Sequence, residues 1–161
     1  MEIRIRATGE VMFEDAFRDY QKANGGPSWD RTTDEVLEAL GADPVFEGPQ
    51  ATPTNPYQFS IRQGVEQVGG KWYTKYVLGP IFIDTPEATA AQHEAEYKAQ
   101  KDADQARLVR HARTEKLNAS DWTQVADAPV DKAVWATYRQ ALRDISTQAG
   151  FPWEVTWPTE P

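Results

Sequence analysis

The residues able to do chemistry are few and scattered. Two histidines, His93 and His111, stand eighteen positions apart with no cysteine anywhere in the chain. Eighteen residues are five helical turns, so on one helix they would share a face but sit ~27 Å apart, too far to form one site. His93 is followed by Glu94 and Glu96, which are possible metal ligands. Position 97 is Tyr, however, so the two-histidine zinc spacing is absent. Carboxylate neighbours such as Glu14/Asp15 and Asp102/Asp104 are adjacent in sequence within a chain that carries 25 acids, which is weak ground for an acid–base dyad. Nucleophile elbows and glycine-rich phosphate loops are missing, because Gly25-Gly26 and Gly69-Gly70 punctuate turns. The expectation is no catalytic residue, no metal and no cofactor.

What remains is binding chemistry. Four of the six tryptophans, at 122, 135, 153 and 157, fall in the last forty residues. With Tyr138, Phe151, Arg139 and Arg143 they form the Trp, Tyr and Arg mixture that dominates interface energetics. The bulk properties narrow the partner. Net charge is −8, with 8 basic and 13 acidic residues in 1–84 and 9 and 12 in 85–161. No basic stripe suited to nucleic acid is visible. No run approaches the ~20 apolar residues of a membrane span, and the first residues lack a signal-peptide core. Hydrophobic content of 40% and mean hydropathy of −0.67 suit one ordinary domain or two small ones with much solvated surface.

Stepping along the chain, residues 1–84 read as a small α+β unit. Glu2-Ile-Arg-Ile-Arg alternates as a half-buried strand, and Ala16, Phe17 and Tyr20 lie at helical spacing before Gly25-Gly26-Pro27 ends that helix. Thr32 and Glu35 have capping-box spacing ahead of Val36, Leu37 and Leu40. Four prolines between Asp43 and Pro56 predict loop. A hairpin follows, turning at Gly69-Gly70. On its return strand Trp72, Thr74, Tyr76 and Leu78 share one face, expected to pack on the helices of the unit.

Thr85-Pro86-Glu87 carries the residue order of a helix start, and no Gly or Pro interrupts the next thirty residues. The spacing predicts a single long helix over 86–116, acidic at its start and basic at its end in keeping with the macrodipole. Its large apolar residues are few, so it either projects or packs closely through alanines. The domain reading is 1–84, a connecting helix 85–117, and a compact module 118–161. In that module residues 131–145 form an amphipathic helix with Val134, Trp135, Tyr138, Leu142 and Ile145 on one stripe. The prolines at 152 and 158 make the tail extended. Trp135 and Trp122 are expected to fill the small core, leaving Trp153, Trp157 and nearby arginines for a partner.

This ending resembles a known one. The segment S-D-W-T-Q from Ser120, then D-A-P, W-A-T-Y-R-Q-A-L-R-D-I from Trp135 and G-F-P-W-E-V-T-W-P from Gly150 resembles the C-terminal signature of phage tail assembly chaperone, or tail fibre assembly, proteins. The likeness covers about residues 117–158. It implies a helper that binds a trimeric tail fibre protein during folding, with other tail or baseplate proteins as further partners. The partner-binding residues it brings forward are Trp122, Trp135, Tyr138, Arg139, Leu142, Arg143, Phe151, Trp153 and Trp157. The expected location is the cytoplasm of the host cell during assembly. A permanent virion component on the fibre or baseplate is the alternative.

Overall fold

The computed structural model describes residues 1–161, and the chain is mixed α and β. It divides into two compact units, Met1–Ile81 and Phe82–Pro161, each with its own core.

The first unit holds a curled five-stranded sheet in the order β2-β1-β3-β5-β4. Strands β1 (Glu2–Ile5), β2 (Val11–Phe13) and β3 (Ala42–Phe46) pair antiparallel around β1. Strands β4 (Phe59–Val68) and β5 (Lys71–Gly79) make the expected hairpin, and β5 joins β3 in parallel. Helices α1 (Glu14–Ala23) and α2 (Asp34–Ala39) pack on β1, β2 and β3. Alternation along β1 turns Ile3 and Ile5 toward them, where they close a core with Phe17, Leu37 and Ala42.

Three sequence expectations are corrected here. The segment read as loop from its prolines begins with strand β3. Pro44 is tolerated because the β5 ladder starts one residue later, at Val45↔Trp72, so the missing N–H interrupts no bond to β5. The cap of α2 is Thr33, whose hydroxyl accepts from the Val36 N–H, and not Thr32. Thr32 is already engaged: its hydroxyl donates to Glu14 Oε1 at 2.5 Å and accepts from the Trp29 indole at 2.8 Å. Finally, the Trp72 face of β5 does not meet the helices. Register places Trp72 beside Val45, Glu2 and Arg4 on the opposite side of the sheet from Ile3. There the Arg4 guanidinium lies 3.9 Å from the Trp72 ring.

The second unit is built on α3 (Ala90–Ala119). Thirty residues give it a length of about 45 Å. It starts later than the Thr85-Pro86-Glu87 signal implies, because Thr89 and Gln92 form a complete capping box one turn on. Thr85 instead closes a turn, its N–H donating to the Ala88 carbonyl at 2.8 Å. Helix α4 (Lys132–Arg143) begins at an Asp131 cap that accepts from the N–H groups of Ala133 and Val134. Short 3-10 helices, Asp121–Gln124 and Asp144–Thr147, flank it.

Candidate interaction surface

The core of the second unit comes from the C-terminal half of α3, the inner stripe of α4 and the tail. Val109, Trp135, Tyr138, Leu142 and Ile145 are buried together, with Leu117, Val130, Phe151, Val155 and Trp157 packed around them. The α4 stripe is the one its 3.6-residue period dictates, except that Val134 at its edge is exposed. Ala106 is buried on α3, and the residues before it on that helix are not.

Arg139 joins the pieces. It is 7% exposed, not a rim residue as its charge suggests. One guanidinium nitrogen donates to the Leu117 carbonyl at 2.7 Å and to the Ser120 hydroxyl at 2.6 Å. The other donates to Asp121 Oδ1 at 2.7 Å. The last carbonyls of a helix have no partner within it, and a cation there also meets the negative end of the macrodipole. Arg139 therefore caps α3 from a neighbouring helix while holding the D-W-T-Q segment against α4. Ser120 and Thr123, both buried, complete the joint, the Thr123 hydroxyl donating to the Ser120 carbonyl at 2.7 Å. Sequence reasoning missed these two. The signal for them was the pairing of an acid-bearing box at 120–124 with an arginine at the margin of an apolar stripe.

The tail is strapped down rather than free. Gln148 uses both ends of its side-chain amide on Thr156, accepting from its N–H at 2.7 Å and donating to its carbonyl at 2.9 Å. Residues 150–154 form a tight turn in which the Glu154 N–H donates to the Gly150 carbonyl at 2.7 Å. A β-carbon at Gly150 would lie 2.2 Å from the Glu154 carbonyl oxygen, so only glycine fits. The expected extended tail is thus a turn followed by an extended strap. Its rings lie against α3. The Trp153 indole donates to Asp102 at 2.6 Å, Arg110 stands 5.3 Å from the Phe151 ring and Lys116 5.7 Å from the Trp157 ring.

The nine sequence candidates consequently separate. Trp135, Tyr138, Leu142 and Arg139 are interior. Burial, with Glu160 adding to it, raises the Tyr138 phenol above its ordinary value. Phe151, Trp153 and Trp157 are half-buried in the strap, and Arg143 is exposed. Trp122 reverses its expected place. It is 52% exposed, its ring resting edge-on against Trp135 at 5.9 Å. The core beneath it is filled by Trp135 and Tyr138, whose rings cross at 89°.

Residues 106–161 match the family model of the phage tail assembly chaperone protein. The matched stretch opens at the first buried residue of α3 and takes in the whole core, the Arg139 joint and the strap. No curated protein and no solved structure matches the chain. The matched module is electrically balanced, with seven basic and seven acidic residues, whereas residues 1–105 hold 10 and 18. The module presents Trp122 and Arg143 exposed beside a packed core and a strapped tail.

Proposed function

We propose that this protein assists assembly of a phage tail fibre, binding the fibre subunit or trimer through the module at residues 106–161 while the fibre folds. The observation that carries this reading is the coincidence of the family match with one self-contained core, so that the likeness covers a complete folded surface. Trimeric fibres rich in β structure expose unpaired strands before they close, and such edges aggregate. A carrier present in the host cytoplasm during assembly would shield them.

Trp122 is the anchor. A large ring held open on a buried ring is pre-organised, so little side-chain entropy is lost on docking. Phe151, Trp153, Trp157 and Arg143 supply the remaining contacts, and the interior residues hold the surface in shape. Binding, not catalysis, is the activity.

The test is co-expression of the fibre protein with and without this chain. Soluble trimers should fall several-fold without it, and Trp122→Ala should lower the trimer yield while the variant itself stays folded. Equal trimer yields in its absence would overturn the reading. A second reading has one observation in its favour: unit Met1–Ile81 has its own core and lies outside the matched residues, as an adaptor's attachment domain would. Mass spectrometry of purified virions separates the two, since stoichiometric copies mark a permanent component.

A further inference from the structure

Arg113 stands on α3 where an apolar residue is expected. Ala106, Val109, Leu117 and Ser120 mark the row of that helix that packs into the second core, in steps of three and four residues, and Arg113 falls in the middle of the row. Its stem can lie along the core while its head reaches the edge. The head is not satisfied there. Arg113 is half-buried, and its Nε lies out of solvent with no acceptor. A guanidinium partly removed from water without a counter-charge costs free energy, so an arginine at this place calls for a reason.

Its neighbours add to the same charge. Arg110 and Lys116 lie one turn to either side, both exposed, each beside a ring of the strap. Together the three cations cover about 9 Å of the helix axis. No acid stands three or four residues from any of them along α3. The ion pairs of the second unit join Lys98 to Glu94, Arg107 to Asp104, His111 to Glu115 and Arg139 to Asp121, which leaves these three without a carboxylate. The helix dipole accounts for Lys116, in the last turn, but its effect fades within a turn and does not reach Arg110 or Arg113.

We propose that Arg113, flanked by Arg110 and Lys116, receives a carboxylate from an acidic segment of a partner protein. A planar carboxylate matches the guanidinium fork and supplies the counter-charge that the chain itself does not. Two acids at alternate positions of an extended segment share a side, and they can reach Arg113 and one neighbour about 4.5 Å further along the axis. A net charge of −8 opposes a long polyanion such as nucleic acid, so a short acidic stretch is the better fit. The choice of a protein client rests on the reading of residues 106–161 as the binding module, and the carboxylate names the chemistry of that contact.

The probe is N-acetylated glutamyl-valyl-glutamate amide, titrated into the full chain at low salt and followed by NMR at the arginine Nε–H groups and the backbone amides. The control peptide carries glutamine in place of both acids. Expected are saturable shifts at the Arg113 Nε–H and along residues 110–117, with the glutamine peptide about tenfold weaker. Arg113→Leu separates this role from a structural one. An apolar residue in that row should leave the chain at least as stable in urea, because it removes an uncompensated charge, while the acidic peptide binds about tenfold more weakly. Arg113→Lys keeps the charge and loses the fork, so it should restore only part of the binding. Lys116→Gln, at an exposed position, should weaken the peptide about threefold with the fold intact. Equal binding of the two peptides, unchanged binding by Arg113→Leu, shifts centred elsewhere, or the same shifts from inorganic phosphate at equal concentration would overturn the proposal. The co-expression result is separate. Peptide binding with fibre trimers forming equally well without the chain would remove the fibre as client and keep the site, and the reverse would remove the site alone.

Discussion

Arg139 and Asp121 form an ion pair whose two members should behave very differently when changed. The arginine is buried and has three acceptors, whereas the Asp121 side chain is 63% exposed. Removing Arg139 takes the charged donor from the Leu117 carbonyl, which keeps only the Ser120 N–H and hydroxyl, and from the Ser120 hydroxyl, and it opens a gap at the α3–α4 joint. Arg139→Ala should cost ~3 kcal/mol, the scale for breaking a buried charged network. Asp121→Asn should cost under ~1 kcal/mol, because its carboxylate keeps water as an alternative partner. Urea denaturation followed at the tryptophans of the second unit checks both, and comparable losses would show that the ion pair and not the helix cap matters. The sequence did reveal an arginine beside an aromatic stripe. It did not reveal which side of the surface that arginine occupies, because a charged residue at the margin of a stripe is ordinarily solvated and only its three-dimensional partners bring it inside.

At the level of elements, the informative disagreement is where α3 begins. Thr85-Pro86-Glu87 and Thr89-Ala-Ala-Gln92 are both start signals, and the second prevails because it alone closes a reciprocal cap: the Thr89 hydroxyl accepts from the Gln92 N–H and the Gln92 side chain accepts from the Thr89 N–H. Thr89→Ala should therefore cost ~1 kcal/mol. The first turns of α3 carry no buried residue, so the loss should appear as local fraying. Amide exchange at residues 92–95 should speed up about fivefold, while Thr85→Ala leaves it nearly unchanged; the opposite ranking would return the cap to Thr85. Elements written in local pattern were legible from residues alone, as with the β4–β5 hairpin and the α4 stripe. Strand β3 was not, since Pro44 argues against a strand and only its two neighbours supply the ladder. The strap was also hidden, because the Gln148 contact to Thr156 and the Trp153 contact to Asp102 join residues that no local pattern connects.

Across the whole molecule, charge and titration divide between the two units. Each shifted carboxylate belongs to the first. A hydrogen bond from Thr32, and then one from Arg18, hold Glu14 below its ordinary value. Thr33 does the same for Glu35, and Arg6 for Glu38. The shifted phenol, Tyr138, belongs to the second unit and is raised by burial. Linkage then fixes opposite signs. Carboxylates depressed by folding add stability above their unfolded value, and that contribution is lost as pH falls below about 4.5. A phenol raised by folding adds stability up to its unfolded value near 10.0, lost as pH climbs beyond it. The unit Met1–Ile81 should therefore weaken first in acid, and Phe82–Pro161 should weaken in alkali with a Tyr138 contribution that Tyr138→Phe removes. The tryptophans report the two separately, Trp29 and Trp72 from the first and Trp122, Trp135, Trp153 and Trp157 from the second. With 5-fluorotryptophan in place, fluorine NMR in moderate urea should show the first pair of signals collapsing between pH 4.5 and 3 ahead of the other four. The order should reverse above pH 10. Simultaneous loss of all six signals at both extremes would mean that the units unfold as one, and that the separate cores do not set the stability of the chain.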